Sequence, residues 1–383
     1  RFDKLPPNSP LATAQAKTSA SKPDIYYIIL DRYASQETLS TQYKFDNKDF
    51  LGYLSGKGFT LANGNATHAN YPFTIQSLSS SLNGQYLPNL SASDQNSVTS
   101  TKHLQDMIAQ NGAAAFAKKQ GYSFTQLGSW WDPTRNNPYA DASLKSPHEI
   151  VVFGFHINIS EYNGILLRQS VLQTVIGADI KVGKFTILGT TTIPSENIHA
   201  QSGLYELSQL KNIAADKNTA QPKLVFAHIL LPHPPYVFDA DGNKPSTKKK
   251  QTTKQLYLGQ MAYTNKRIKD VVQSLTADPS RQPVILLQAD EGPYPKRFQD
   301  HQATFDWHKA TAKEKQEKTG VLSAYYLPGV DASVVYPGIS PVNSFRLVFN
   351  SYFGTNLPYL EDKHYIDNAA RPYKFIDLTS ELK

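Results

Sequence analysis

The chain has 383 residues, of which 40 % are hydrophobic and 19 % are charged, and this balance excludes a disordered chain. The formal net charge is +7, but no basic helix with interleaved aromatic residues stands out, so nucleic acid is not expected as a partner. The chain has no cysteine, which excludes disulfides, thiolate metal sites and a cysteine nucleophile.

The first part of the chain has the composition of a linker. Residues 1–23 are rich in Pro, Ser, Ala and Lys and are predicted to form a linker or stalk, with a folded domain over residues 24–383. No apolar run reaches the length of about 18 residues that a membrane span requires. Because the chain begins with Arg1, we expect a signal peptide or a membrane anchor to precede it in the full-length protein.

Three continuous apolar runs dominate the domain. They are Ile25–Leu30, Leu224–Leu231 and Val284–Leu287. Runs of this length without polar alternation predict strands that are buried on both faces of a parallel sheet.

Polar residues follow each of these three runs. Asp31 follows the first, His233 the second, and Asp290 and Glu291 the third. In open α/β sheets, ligands bind just beyond the carboxyl ends of the strands. The sequence therefore predicts that one edge of the sheet carries a functional site.

Helical patterns alternate with the apolar runs, and they cover Asp46–Lys57, Ile75–Leu82, Thr101–Gln120 and Thr253–Leu275. This alternation predicts an α/β fold with a doubly wound, mostly parallel sheet, helices on both faces and a smaller C-terminal or inserted subdomain. Residues 145–200 are less regular and are predicted to form a cap or insertion over the site.

The acidic residues at the strand ends are candidate metal ligands. A carboxylate that follows a buried strand, as Asp31 does, is either a metal ligand or a cap for the next helix. Asp290 and Glu291 are adjacent carboxylates, which repel each other unless a cation lies between them or they share a proton. This pair favours a metal site.

Thr74 lies close to a predicted helix start, since Pro72 disfavours helix before it. It is either the N-cap of that helix or a nucleophile, because a helix N-terminus favours both a developing alkoxide and a bound phosphate.

The histidines near the second apolar run have different expected roles. His228 lies inside the run and is predicted to be a core histidine. His233 lies in a Pro-rich turn at the strand end, where it is placed to donate a hydrogen bond to an anionic substrate.

Two further segments contribute candidate substrate contacts. The segment with Trp130, Trp131 and Arg135 suits a phosphate or sulfate ester with an organic group, although the two tryptophans are equally compatible with core packing. His308 is either a general acid that contacts the substrate or a surface residue.

Several segments together resemble a family, in the expected order over residues 24 to about 375. They are PDIYYIILDRYAS, NYPFTIQSLSSSLN, FAHILLPHPPYVFDADG, QADEGPYP and AYYLPG with SPVNSFRLVFNSYFG. They resemble the sulfatase-like branch of the alkaline phosphatase superfamily and are similar to lipoteichoic acid synthases and phosphoethanolamine transferases. The resemblance implies an alkaline phosphatase-like fold and a membrane-anchored domain displayed outside the cytoplasm.

The resemblance assigns roles to individual residues. Asp31 matches the metal-binding Asp after the first strand, Thr74 matches the Thr or Ser nucleophile, and Asp290 matches the Asp of a late Asp-His pair. Glu291 stands in place of the histidine. The implied ligand set of Asp31, Thr74, Asp290 and Glu291 is all oxygen and favours one Mn²⁺ or Mg²⁺ ion, with Ca²⁺ and Zn²⁺ as alternatives.

His233 is similar to the family histidine that contacts the substrate anion. Arg32 is a second departure, since relatives often have a small residue there, and it is expected either to bind the anion or to block the site.

The expected function is a metal-dependent hydrolase or transferase that acts on anionic phosphate esters of the cell envelope, either small molecules or lipid- or polymer-linked esters. The alternatives are a sulfatase, which the missing cysteine disfavours, and a catalytically degenerate module that binds envelope polymers.

Overall fold

A computed structural model describes most of the chain. It describes residues 9–17, 22–62, 67–87, 92–146, 148–152, 155–159, 180–182, 185–188, 195–216, 221–248 and 250–382. None of the helices in these ranges is both long and apolar enough to cross a membrane.

A seven-stranded sheet forms the centre of the domain, in the order β2-β11-β10-β1-β9-β3-β4. The neighbours from β10 to β4 are parallel, and β11 and β2 add an antiparallel edge. Three two-stranded sheets, β5-β6, β7-β8 and β12-β13, lie outside it. The strands are β1 (Ile25–Leu30), β2 (Thr60–Leu61), β3 (Ser123–Gly128), β4 (Ala142–Lys145), β5 (His148–Val152), β6 (Phe155–Ile159), β7 (Ile180–Val182), β8 (Phe185–Leu188), β9 (Lys223–Ile229), β10 (Val284–Gln288), β11 (Ser323–Tyr326), β12 (Tyr365–Ile366) and β13 (Ile376–Asp377).

Helices connect the strands and cover the sheet. The α-helices are α1 (Pro10–Thr13), α2 (Gln36–Thr38), α3 (Lys48–Gly56), α4 (Thr74–Ser81), α5 (Ala92–Ser97), α6 (Lys102–Ala109), α7 (Gly112–Lys119), α8 (Asp132–Arg135), α9 (Ser195–Ala215), α10 (Thr253–Leu275), α11 (Lys296–Asp300), α12 (Ala312–Thr319) and α13 (Ser344–Phe353). A π-helical turn over Leu39–Tyr43 continues α2, and 3-10 turns lie at Trp307–Lys309, Ala332–Val334 and Pro341–Asn343.

The burial of strand β1 on both faces accounts for its continuous apolar sequence. All six of its residues are buried, and its neighbours in the sheet are β10 and β9. Tyr26, Ile28 and Leu30 belong to one hydrophobic cluster, whereas Ile25, Tyr27 and Ile29 belong to another on the opposite face. Because both faces of the strand are covered, polar alternation is not needed, and the run is apolar throughout.

The two clusters draw on different helices. Leu54 of α3 and Met261 of α10 belong to the first cluster, while Leu78 of α4, Phe116 of α7 and Leu347 of α13 belong to the second. Helices therefore cover both faces of the mostly parallel sheet, which confirms the predicted doubly wound α/β fold.

The pattern over Thr101–Gln120 divides into two helices rather than one. The Asn111 side chain accepts a hydrogen bond from the Ala114 backbone N–H at 2.8 Å and begins α7 as its N-cap. Gly112 follows, and a Cβ atom there would lie 1.8 Å from Ser9 Oγ. The close approach of the N-terminal segment therefore requires glycine at this break.

Part of the predicted linker packs onto the domain. Leu11 of α1 is fully buried in the cluster that contains Phe116, Ser9 Oγ donates to the Asn83 carbonyl at 2.9 Å, and Lys17 N donates to the Phe353 carbonyl at 2.9 Å. Residues 9–17 thus differ from a free linker, because one leucine among the Pro- and Ala-rich residues fills a core position. Residues 1–8 and 18–21 lie outside the described ranges.

Replacing Leu11 with alanine is expected to lower the free energy of unfolding by about 2–4 kcal/mol, because truncation of a buried leucine side chain leaves a cavity in the core. Urea unfolding of the purified protein measures the change, with exposed Gln15→Ala as the matched control on the same segment. Equal stability of Leu11→Ala and the control would show that this segment does not pack onto the domain in solution.

The predicted cap over residues 145–200 falls largely outside the described residues. Within it, β5 pairs with β6 and β7 with β8, each in antiparallel fashion, and α9 begins at Ser195. The cap itself stays a prediction.

Candidate metal centre and adjoining cavity

Three buried polar side chains meet where the central strands end. Asp31 directly follows β1, His228 lies near the end of β9 and pairs in register with Ile29 of β1, and Asp290 follows β10 by two residues. Because β10, β1 and β9 are adjacent and parallel, their carboxyl ends meet at one edge, as the sequence predicts. The three side chains are almost completely inaccessible to solvent.

The three side chains form a compact group, here called the Asp-His-Asp group. His228 Nε2 lies 3.6 Å from Asp31 Oδ2 and 3.9 Å from Asp290 Oδ2. One potential ligand atom from each residue lies within 4.8 Å of the others. Asp31 Oδ1, His228 Nε2 and both Asp290 carboxylate oxygens are buried and have no hydrogen-bond partner among the described residues. Buried polar atoms without partners are costly, and a divalent cation between them would satisfy all three side chains.

Hydrogen bonds behind the group fix the orientation of His228. Its Nδ1 atom lies 3.0 Å from Thr134 Oγ1, and Thr134 Oγ1 lies 2.7 Å from Ser129 Oγ. With its proton on Nδ1 donated to Thr134, the ring presents the Nε2 lone pair to the two carboxylates. His228 is buried, as expected of a core histidine. Its ring is not surrounded by apolar side chains alone, however, because Nε2 faces the carboxylates of Asp31 and Asp290.

The two aspartates experience opposite electrostatic shifts. Burial raises the pKa of Asp290 well above its usual value, and the charges of Asp31 and Glu291 raise it further. Burial acts on Asp31 in the same direction, but His233, His228 and Arg32 outweigh it and hold the pKa of Asp31 below its usual value. Two carboxylates share one dry site, and a bound cation would relieve their repulsion.

Thr74 is the first residue of α4, and Phe73 occupies the N-cap position. The N-cap interpretation of Thr74 is therefore wrong. Its side chain lies close enough to Asp290 to lower the pKa of that carboxyl, although no hydrogen bond between the two residues meets strict geometric criteria. Thr74 is partly buried and lies beside the Asp-His-Asp group at a helix N-terminus.

A cavity of about 300 Å³ opens in front of Thr74, here called the active-site cavity. Asp31, Thr74 and His233 contribute polar groups to its lining, together with Arg32 and Glu291. The remaining wall is mostly apolar and includes four aromatic residues, Phe73, Trp130, Trp131 and Tyr294.

His233 lines the active-site cavity. Its carbonyl accepts a hydrogen bond from Gln260 Nε2 at 2.8 Å, and its ring centroid lies 5.7 Å from that of Trp130. Burial lowers the pKa of His233 to about 4 against the opposing charge of Asp31, so the imidazole is neutral at pH 7 and keeps one N–H to donate.

Glu291 has different partners from those that the sequence predicts. Its Oε1 atom lies 3.0 Å from Arg32 Nε, and its Oε2 atom lies 2.7 Å from Lys318 Nζ. Two cations thus occupy both carboxylate oxygens, and Glu291 does not belong to the Asp-His-Asp group. The all-oxygen ligand set of Asp31, Thr74, Asp290 and Glu291 stays a prediction, whereas the group that could hold a metal among the described residues contains His228 in addition to Asp31 and Asp290.

Only some of the other predicted substrate contacts are among the described residues that line the active-site cavity. Trp131 lines the active-site cavity, and its ring centroid lies 5.5 Å from that of His228. Arg135 is not among the described residues that line this cavity: its Nη2 atom donates to the Trp130 carbonyl at 2.5 Å, and Nη1 pairs with Asp132 at 3.1 Å. His308 is exposed on a 3-10 turn and is likewise absent from the described lining.

Three residues at or beside the site are not predicted from the sequence: His228, Lys318 and Tyr294. A histidine within an apolar strand is a weak signal, and its meaning appears only once β9 is paired with β1. Lys318 lies in the highly charged helix α12, where no local feature separates a buried lysine from the exposed ones.

Comparison with known proteins agrees with this architecture. A family model described as Sulfatase matches residues 23–321, so the chain belongs to the sulfatase family. This confirms the predicted resemblance to the sulfatase-like branch of the alkaline phosphatase superfamily. Comparison with curated proteins gives no match.

Two solved structures share the fold. The C-terminal periplasmic domain of EcEptC from Escherichia coli, in complex with zinc, has a TM-score of 0.56 at 14 % identity, covering 97 % of this chain and 96 % of that domain. The soluble domain of lipooligosaccharide phosphoethanolamine transferase A from Neisseria meningitidis has a TM-score of 0.51 at 10 % identity, covering 88 % of this chain and 90 % of that domain.

Proposed function

We propose that the protein is an extracytoplasmic, metal-dependent hydrolase or transferase that acts on phosphate esters, with Thr74 as its nucleophile. One observation carries this proposal: Thr74 lines the active-site cavity directly beside a buried Asp-His-Asp group in which four polar atoms have no hydrogen-bond partner among the described residues. Membership of the sulfatase family supports phosphoryl or sulfuryl transfer as the reaction class.

The donor set of the group supports a single divalent metal. Two carboxylates and one imidazole are ligands that both Zn²⁺ and Mn²⁺ accept, whereas Mg²⁺ and Ca²⁺ prefer oxygen alone. His228 therefore moves the proposed metal towards Mn²⁺ or Zn²⁺, and the zinc complex of the EcEptC domain is consistent with this choice. When bound, the metal would lower the pKa of a neighbouring hydroxyl and neutralise ester oxygens.

The side chains of the cavity account for the remaining chemistry. The Thr74 hydroxyl, oriented by the neighbouring Asp290, attacks phosphorus, and the bond from phosphorus to the leaving oxygen breaks to give a phospho-threonine. The hydroxyl proton of Thr74 passes to the leaving oxygen, which departs as an alcohol. The neutral His233 donates its N–H to a non-bridging oxygen as charge develops. The aromatic wall of Trp131, Trp130 and Phe73 accommodates the organic part of the ester. Water or an acceptor alcohol then releases the phosphoryl group from Thr74.

Sulfate esters are the second candidate substrates, because the family is that of the sulfatases and sulfate has the same tetrahedral shape as phosphate. The chain has no cysteine, so it lacks the precursor of cysteine-derived formylglycine, and Thr74 would itself have to attack sulfur.

We also propose that the domain works outside the cytoplasm on an envelope-linked ester and is membrane-anchored in the full-length protein. The similar EcEptC structure is a periplasmic domain, which supports this compartment.

An activity screen tests the reaction class. The purified protein, supplied with Mn²⁺ or Zn²⁺, is expected to hydrolyse p-nitrophenyl phosphate or bis-p-nitrophenyl phosphate faster than p-nitrophenyl sulfate. Because the metal is proposed to activate Thr74, EDTA should reduce the rate to background and added metal should restore it. A rate that survives exhaustive chelation would contradict the metal role, and exclusive sulfate release would contradict the choice of phosphate.

A further inference from the structure

We infer that Glu291, Lys318 and Tyr294 hold the Arg32 guanidinium at the active-site cavity as an anion subsite for non-bridging oxygens of a phosphate or sulfate group. This inference deepens the proposed function and rests on it for the identity of the reacting group. It resolves the two roles that the sequence leaves open for Arg32 in favour of binding.

The first support is the pairing of Glu291 with two cations. Arg32 Nε and Lys318 Nζ contact different oxygens of the same carboxylate, at 3.0 and 2.7 Å. The Lys318 side chain is fully buried and that of Glu291 is 2 % exposed, whereas that of Arg32 is 14 % exposed. Lys318 and Glu291 therefore lie in the protein interior, and Arg32 is the most exposed member of the ion-paired cluster.

The second support is the position of Tyr294, which also lines the cavity. Arg32 Cζ lies 3.5 Å from the centroid of its ring, and Lys318 Nζ lies 4.2 Å from the same centroid. A guanidinium stacked on an aromatic ring keeps its plane fixed while its N–H groups stay available at the edge.

The third support is the backbone at Arg32. Its φ angle is 61°, in the left-handed region that residues other than glycine rarely adopt. The Tyr257 hydroxyl donates to the Arg32 carbonyl at 2.9 Å and accepts from the Ala34 N–H at 3.2 Å. Two hydrogen bonds to one buried tyrosine thus stabilise the backbone at Arg32, whose side chain contacts Glu291.

The hydrogen-bonding capacity of Arg32 is only partly used. Nε donates to Glu291, but neither terminal nitrogen has a hydrogen-bond partner within the part of the chain that the structure describes. Arg32 and Thr74 line the same cavity. The fork of a guanidinium matches two oxygens of a tetrahedral anion, so the unused N–H groups suit an anion in front of Thr74.

Charge balance explains the buried lysine. With Glu291 alone, the charge of Arg32 would be cancelled before any substrate arrived. Lys318 supplies a second positive charge, so the cluster of Arg32, Glu291 and Lys318 keeps one net positive charge. We assign Glu291 and Lys318 as positioning residues, which act through Arg32.

Binding of inorganic phosphate to the metal-loaded protein, measured by isothermal titration calorimetry, tests the subsite without requiring turnover. Arg32→Gln is expected to weaken phosphate binding by about 10- to 100-fold, because a charge-assisted hydrogen bond is lost. Lys318→Met should also weaken binding, since Glu291 then cancels the charge of Arg32. The double variant Glu291→Gln with Lys318→Met removes both charges but keeps an amide oxygen that can accept from Arg32 Nε, so it is expected to bind phosphate more tightly than Lys318→Met alone.

Metal content, measured on the same samples, is expected to be unchanged in all three variants. Wild-type phosphate affinity in Arg32→Gln, or loss of metal in the double variant, would overturn the proposal. If Lys318→Met does not fold, the charge-balanced double variant and Arg32→Gln still decide the question. Phosphate binding that follows these expectations in a protein without turnover would refute the proposed function and leave the anion subsite standing.

Discussion

Replacing Thr74 with alanine is expected to reduce phosphate-ester turnover by ~10⁴-fold or more while the protein keeps its metal, because removal of a nucleophile abolishes the covalent pathway. The Asp-His-Asp group does not need Thr74 to stay assembled: Asp31, His228 and Asp290 are fixed by three adjacent strands. Steady-state kinetics on the substrate identified in the activity screen, with elemental analysis of the same preparation, measure both quantities.

The matched control for this experiment is Thr74→Ser, which keeps a hydroxyl at the first position of α4. It is expected to retain a substantial part of the turnover. Intact-mass spectrometry of the wild-type protein, quenched during turnover, should also show a phosphorylated species that Thr74→Ala lacks. Turnover at the wild-type rate in Thr74→Ala would require another nucleophile and would remove the basis of the proposed mechanism.

Replacing His228 with alanine is expected to weaken metal binding by about 100-fold or more, because one of the three proposed protein ligands is lost and two buried carboxylates are left facing each other. Isothermal titration with Zn²⁺ and Mn²⁺ measures the affinity. Turnover should fall in parallel and recover in part at high metal concentration.

Two control variants make the His228 experiment specific. His233→Ala removes a histidine that lines the active-site cavity but lies outside the Asp-His-Asp group, and Glu291→Gln removes the charge of the expected ligand. Both should bind the metal with near wild-type affinity. The opposite pattern, with metal retained in His228→Ala and lost in Glu291→Gln, would restore the ligand set that the sequence alone predicts.

The sequence predicts where in the chain the site residues lie better than it predicts which of them contact each other. The apolar runs before Asp31 and Asp290 locate two strand ends, and Thr74 is recognisable at a helix start, because these signals are local in the chain. The identity of the third member of the group is not local. His228 becomes a candidate ligand only because β9 lies beside β1, with His228 opposite Ile29.

Glu291 shows the complementary difficulty. Its adjacency to Asp290 suggests a shared cation, which is sound electrostatics for two neighbouring carboxylates. The cations that it meets are instead the side chains of Arg32, 259 residues earlier, and Lys318, 27 residues later. Contacts between residues so far apart depend on tertiary packing, which periodicity and local spacing do not encode. The docking of Leu11 was missed for the same reason.

The most direct test of the central claim is a crystal structure of the protein grown with Zn²⁺ or Mn²⁺, with anomalous diffraction recorded at the metal edge. We expect one strong peak about 2.0–2.2 Å from His228 Nε2 and from a carboxylate oxygen of each of Asp31 and Asp290, facing Thr74. A peak coordinated by Glu291, or a protein crystallised with excess metal that shows no peak at this group, would contradict it.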